Sequence, residues 1–161
     1  MDTTSSVKIK SPHRQVFPGT VLQQLTVFTG KWKVSGKNFD ASPNAPGIPV
    51  QGTILYEWMA GKFFLVFHWD RSFSSSKHTG MGIIGYDSEH EELCTTNYDN
   101  LGYLRRYRII HENNNWKFSG EYERAVIEFA DDKKSFTETW ELSDDGWNWK
   151  PMCQLTATTA D

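Results

Sequence analysis

From Gly30 onward, apolar and polar residues mostly alternate one by one, which is the two-residue period of half-buried β-strands. The pattern predicts ten strands: Lys31-Lys37, Val50-Met59, Lys62-Arg71, Thr79-Asp87, Glu92-Asp99, Tyr103-His111, Asn115-Glu121, Arg124-Ala130, Ser135-Ser143 and Trp147-Thr158. Short turn sequences separate them, among them Asn100-Leu101-Gly102, Asn113-Asn114-Asn115, Asp131-Asp132 and Asp145-Gly146. Two breaks are longer: the proline-rich connection from Ser42 to Pro49, and a run from Ser72 to His78 that predicts a second flexible loop. Ahead of the strands, Val21, Leu22, Leu25 and Phe28 recur at helical spacing between Pro18 and Gly30. They predict one amphipathic helix of about three turns.

Short strands at regular spacing behind one short N-terminal helix give an all-β fold, an antiparallel up-and-down barrel of about ten strands, closed or half-open. Closure removes the exposed edges that so many apolar strands would otherwise present. No internal repeat supports a propeller. Residues 1–15 lack periodicity and are expected to form a flexible N-terminal arm, leaving 16–161 as a single barrel domain.

The longest apolar and aromatic run, Val50 to Arg71, is broken by Ala60-Gly61 and reads as a β-hairpin. Its loop length decides its register. A two- or four-residue loop puts Tyr56, Trp58, Phe63, Leu65, Phe67 and Trp69 on one face and leaves Glu57, His68 and Asp70 on the other. A three-residue loop sets Tyr56 and Trp58 beside Phe64, Val66 and His68 instead. Alanine fits poorly at positive φ, which disfavours the two-residue loop, and segregation of the charged residues favours the first arrangement. His68 is therefore expected outside.

Composition narrows the function. A net charge of -3 and a pI near 5.9 exclude a strong case for nucleic acid, and the cluster Arg105-Arg106-Tyr107-Arg108 splits between two strand faces. Cys94 and Cys153 form no CxxC, and no signal-like N-terminus precedes them, so free thiols and a cytoplasmic location are expected. No apolar run is long enough for membrane insertion as a helix. Aromatic residues make up 14% of the chain with seven Trp, more than packing a small domain requires, which points to an aromatic-lined cavity. Trp58, Trp69, Trp116, Trp140, Trp147 and Trp149 are expected mostly in the core.

The helix end and first strand, Leu25-Thr26-Val27-Phe28-Thr29-Gly30-Lys31-Trp32, carry a Gly-x-Trp opening. Further landmarks are Glu57-Trp58-Met59-Ala60-Gly61-Lys62-Phe63, Gly80-Met81-Gly82-Ile83-Ile84-Gly85-Tyr86-Asp87 and Trp140-Glu141-Leu142-Ser143-Asp144-Asp145-Gly146. Together, from about Pro18 to Thr158, they resemble a family of uncharacterised, mostly bacterial, lipocalin-like proteins of the calycin superfamily. The likeness extends distantly to fatty-acid-binding proteins and nitrobindins. The resemblance implies a barrel of eight to ten strands with an interior cavity. Nitrobindin-like proteins hold haem through a histidine near the C-terminus, whereas this chain has none after His111, so haem is disfavoured and no cofactor is expected.

Candidate chemistry is sparse. Gly80-x-Gly82-x-x-Gly85 spells a dinucleotide fingerprint, but no strand precedes it and no helix follows, so small residues beneath a large ring are the better reading. His68 and Asp70 share a face, and with His78 they invite a metal or acid-base reading for which no third ligand is fixed. Glu121, Glu123, Glu128 and Glu138 fall on mixed faces and fix no glycosidase pair. Ser72-Ser76 lacks a nucleophile elbow. Tyr103, Arg105, Tyr107 and Ile109 share one face, and an inward Arg105 requires a carboxylate, either a ligand's or that of Glu138. The resemblance to fatty-acid-binding proteins adds weight to a ligand's.

The expected function is binding of a small hydrophobic or amphipathic ligand. The expected lining is Tyr56, Trp58, Phe67, Trp69, Ile83, Tyr98, Arg105, Tyr107, Trp116 and Trp140, with His68 and Glu138 as possible polar or acid-base groups. Alternatives are an enzyme using the same cavity and a self-associating barrel, in which outward Phe64 and Val66 would form a homodimer strip.

Overall fold

The alternating pattern folds into ten antiparallel strands: β1 (Gly30–Asn38), β2 (Ile48–Trp58), β3 (Leu65–Phe73), β4 (Ser76–Asp87), β5 (Glu92–Asp99), β6 (Leu104–Glu112), β7 (Asn115–Ser119), β8 (Glu123–Phe129), β9 (Ser135–Leu142) and β10 (Lys150–Thr159). Each strand pairs with the next in sequence, and β1 with β10, so the barrel closes and no edge remains. The structure is a computed structural model that describes residues 19–39, 44 and 46–160. The expected N-terminal arm, Pro18 at the helix start, and Ser42, Pro43 and Ala45 of the proline-rich connection lie outside those residues.

The N-terminal helix is shorter than its periodicity predicts. One α-helical turn, Thr20–Gln23, passes into a 3-10 turn, Gln24–Phe28. The apolar residues that pack, Leu22, Leu25 and Phe28, are three apart and fully or nearly buried, which matches the three-residue period of a 3-10 helix. Val21 stays exposed. Trp32 in β1 donates its indole N–H to the Phe28 carbonyl at 2.7 Å, tying the end of the turn to the barrel.

The central hairpin takes the register that segregates charge. Tyr56 pairs with Phe67 and Trp58 with Leu65. A four-residue loop is closed by the Met59 N–H donating to the Phe64 carbonyl at 2.9 Å, with Gly61 (φ 88) and Lys62 (φ 58) left-handed. Leu65, Phe67 and Trp69 are buried, while Glu57, His68 and Asp70 are exposed. On the outer face, the Phe64 ring lies against Gly85, where a Cβ would come within 2.6 Å of it.

The expected flexible loop at Ser72–His78 is instead a tight hairpin. The β3–β4 ladder continues to the Phe73–Ser76 pair, and only Ser74 and Ser75 turn the chain. Its serines read as a loop by composition, yet Ser72 and Ser76 sit in the ladder, and His78 becomes a strand residue paired with Arg71.

All strands share two ends. At one end the helical segment plugs the barrel: Phe28 sits 5.2 Å from Trp116 and 5.0 Å from Phe129, and Trp32 lies 4.8 Å from Phe136, all edge-on. At the other end the β3–β4, β5–β6, β7–β8 and β9–β10 turns surround an opening. The last of these carries Trp147, 87% exposed and so outside the core that most of the tryptophans are expected to join. Among the described residues no helix is long and apolar enough to cross a membrane.

Candidate functional site

Inward residues near the open end set charged and polar side chains among aromatic ones, and they line a cavity of about 270 Å³. One wall is an aromatic ladder on the central hairpin. Tyr56 stacks on Phe67 (5.1 Å, 25°), Phe67 leans on Trp69 (5.8 Å), and Trp69 meets His78 (5.6 Å). Two β4 glycines make room for this wall. A Cβ at Gly80 would lie 2.1 Å from the Trp69 ring, and one at Gly82 would lie 2.3 Å from Phe67. Trp140 stands opposite, edge-on to Tyr107 at 5.5 Å. The β10 ladder shifts register between Pro151 and Cys153, and the consecutive residues Met152 and Cys153 both line the cavity, which strict alternation would not allow.

Two polar networks cross this apolar frame. In the first, Arg71 Nη2 donates to Glu138 Oε1 and Oε2 at 3.1 and 2.9 Å, and Trp140 Nε1 donates to Oε2 at 3.0 Å. Burial opposes the Arg71 charge, but Glu138 outweighs it and holds the guanidinium protonated above its ordinary value. In the second, Arg105 joins Asp99 (Nη1 to Oδ2, 3.1 Å) and Glu123 (Nε to Oε1, 3.0 Å), and the Tyr107 hydroxyl donates to Glu123 Oε2 at 2.5 Å. His78 Nε2 lies 3.3 Å from Asp99 Oδ2. Burial opposes the Asp99 charge, but backbone N–H groups of Tyr103 and Leu101 and the His78 ring hold its carboxyl below the usual range. Burial also lifts the phenols of Tyr56 and Tyr107 well above their usual range, aided by Glu138 and Glu123 respectively, and pushes the Cys153 thiol up to about 12.

Of the residues expected at a site, Tyr56, Phe67, Trp69, Arg105, Tyr107, Glu138 and Trp140 come together around this cavity. Tyr98 contributes at its rim while 44% exposed. The others lie elsewhere. Trp58 faces inward but at the plugged end of β2, and Trp116 is buried there under Phe28 with His111 stacked on it at 3.9 Å. Ile83 falls on the outer face because alternation turns Gly82 and Ile84 inward. His68 is exposed and lines no part of the cavity, so the acid-base role built on His68 and Asp70 does not hold. Tyr103 precedes β6 and is 54% exposed, with the Arg105 guanidinium over its ring at 4.1 Å. The internal partner of Glu138 is Arg71, not Arg105.

Arg71, Asp99 and Cys153 escaped the sequence reading as site residues, and His78, read there only as a loop companion of His68 and Asp70, lines the cavity without them. Arg71 shares the parity of Phe67 and Trp69, a signal masked by its place at the end of an apolar strand, where a charge normally marks the solvent. Glu121 and Glu128 are exposed, so only Glu123 and Glu138 reach the cavity, each already ion-paired. Among the described residues no group of three His, Cys, Asp or Glu side chains is placed to hold a metal ion.

The fold recurs in solved structures. Rv2717c from M. tuberculosis superposes with a TM-score of 0.65 at 9% identity, covering 89% of this chain and 99% of that one. The S-type phycobiliprotein lyase CPES from Guillardia theta gives 0.58 at 13% identity, covering 89% and 94%. No curated protein matches the sequence. The family model described as "Protein of unknown function (DUF1579)" matches residues 18–158, and the chain belongs to that family.

Proposed function

We propose that this barrel, read as a calycin-like relative of lipocalins, fatty-acid-binding proteins and nitrobindins, binds a small, largely apolar molecule in the cavity at its open end. The observation that carries the reading is the cavity of about 270 Å³ walled by Tyr56, Phe67, Trp69 and Trp140 in a barrel whose other end is filled with side chains. The volume lies just under the range of roughly 300–1,000 Å³ found for drug-sized ligands, which favours a single ring or a short chain. The shared fold with a phycobiliprotein lyase supports the reading only as precedent for a barrel of this kind in a protein that handles an external molecule.

Trp69 and Trp140 report on the cavity directly. Titration with small apolar compounds is expected to change tryptophan fluorescence saturably at one molecule per chain. Trp69→Phe should remove a large share of that signal. Absence of saturable binding, together with no small molecule retained by the natively purified protein in mass spectrometry, would overturn the reading.

A second reading, acid-base chemistry on the bound molecule, is favoured by the His78–Asp99 contact at the cavity mouth. It requires that a bound compound be chemically altered over time and that His78→Asn stop the alteration while binding persists.

A further inference from the structure

We propose that the cavity selects an uncharged ligand bearing a hydrogen-bond acceptor, such as the carbonyl of a ketone, ester or amide on an apolar frame, and rejects carboxylates. This rests on the binding reading above and names its ligand class.

An arginine inside an apolar barrel invites the expectation of a carboxylate ligand, but both arginines here already have protein partners. Arg71 is held by both oxygens of Glu138, whose side chain is only 3% exposed. A ligand carboxylate would have to displace Glu138 and strand it as a buried, unpaired anion, or sit beside it as a like charge. Arg105 is shared between Asp99 and Glu123. Around the cavity two guanidiniums, Arg71 and Arg105, face three carboxylates, Asp99, Glu123 and Glu138, so acidic side chains outnumber the arginines. An anion entering this low-dielectric space meets net repulsion.

The hydrogen-bond inventory points the same way. The carboxylate oxygens are occupied by Arg71, Trp140, Arg105, Tyr107, His78 and the backbone N–H groups of the β5–β6 turn. Of the three buried polar atoms without a partner among the described residues, Asn115 Oδ1 lies away from the cavity, and the two on cavity-lining residues, Trp69 Nε1 and Arg71 Nε, are donors. Leaving such donors unmade is costly, and an acceptor on the ligand relieves the cost. Both nitrogens are covered by their neighbours, so binding includes a side-chain rotation that uncovers them. A neutral carbonyl supplies the acceptor without adding charge.

The test uses three monosubstituted benzenes, methyl benzoate, benzoate and ethylbenzene, titrated into the full chain at pH 8 with tryptophan fluorescence and calorimetry. Methyl benzoate is expected to bind on the order of tenfold more tightly than benzoate, and several-fold more tightly than ethylbenzene. Trp69→Phe, followed by calorimetry, should bring methyl benzoate down to the level of ethylbenzene. Glu138→Gln should raise benzoate affinity on the order of tenfold by releasing Arg71 from its carboxylate. If Glu138→Gln does not fold, the wild-type series and Trp69→Phe still decide the matter. Benzoate binding as tightly as the ester in the wild type would overturn the selectivity while leaving the cavity-binding reading intact. Ester and ethylbenzene binding equally would overturn the role of the donors. Failure of all three to bind would overturn the binding reading itself and this inference with it.

Discussion

The two ends of this barrel are built from the same ten strands and solve opposite problems. At the plugged end the inward residues are Phe28, Trp32, Trp116, Phe129 and Phe136, packed edge to face and all but sealed from solvent. None of these five rings carries a titrating group. At the open end the inward residues include Arg71, Glu138, Arg105, Asp99 and Glu123, and space remains between them. Apolar rings are satisfied by any close neighbour, whereas each charged group requires a particular partner at a particular distance. Under the proposed binding function, the difference assigns cohesion to one end and discrimination to the other.

That division is broken most directly at Phe28. It contacts Tyr56, Trp116, Phe129 and Phe136 and has no solvent exposure. Phe28→Ala is expected to cost roughly 4 kcal/mol in denaturant unfolding, from lost transfer energy and the void left behind. If cohesion resides at this end, the variant should unfold earlier while its native fraction keeps the wild-type order of ligand preference. A changed order at low denaturant would show that the plug also shapes the cavity.

The next test separates the worth of an ion pair from the cost of breaking it. Glu138→Leu leaves the Arg71 guanidinium, 15% exposed, without its partner, and should destabilise by roughly 3 kcal/mol. Arg71→Met combined with Glu138→Leu removes both charges and should recover to within about 1 kcal/mol of the wild type. Equal losses in the single and double variants would mean that the pair itself contributes to cohesion, and the contrast between the two ends would weaken.

The plugged end was the more legible of the two in the sequence, for the same physical reason. Alternation and turn residues define all ten strands to within a few positions, because the two-residue period is a property of each strand alone. Charge segregation chose the hairpin register, with His68 outside as expected. Polar pairing is different, since it depends on which strands meet across the barrel. Arg71 in β3 and Glu138 in β9 are 67 residues apart and no local pattern joins them. Arg105 had the right inward parity, but its partners Asp99 and Glu123 are set by the β5–β6 turn and the start of β8. The shift at Pro151–Cys153 places two consecutive residues on the cavity, which periodicity by construction misses. Ser72 to Ser76 misled for the opposite reason: composition suggested a loop where ladder pairing made a strand.

The contrast between the ends extends to alkaline stability, where the expected effect is smaller. Tyr56, Tyr107 and Cys153 all line the cavity, and burial raises each above its ordinary value, to about 12 for Cys153. Each group therefore holds its proton more tightly when folded than when unfolded. Its contribution is fully present below the unfolded value, about 8.5 for a thiol and about 10 for a phenol, and is lost as pH rises toward the folded one. The melting temperature should accordingly stay level up to about pH 8.5 and fall above it. Tyr56→Phe and Cys153→Ala each remove a group that must ionise on unfolding, so each should flatten the fall while shifting the plateau by its own packing cost. Phe28→Ala should lower the whole curve without changing its slope, because the plug contributes no proton. A steeper alkaline fall in Phe28→Ala than in the wild type would mean that the plug governs the burial of Tyr56, which its ring touches at 5.2 Å, and that the two ends are coupled through that contact.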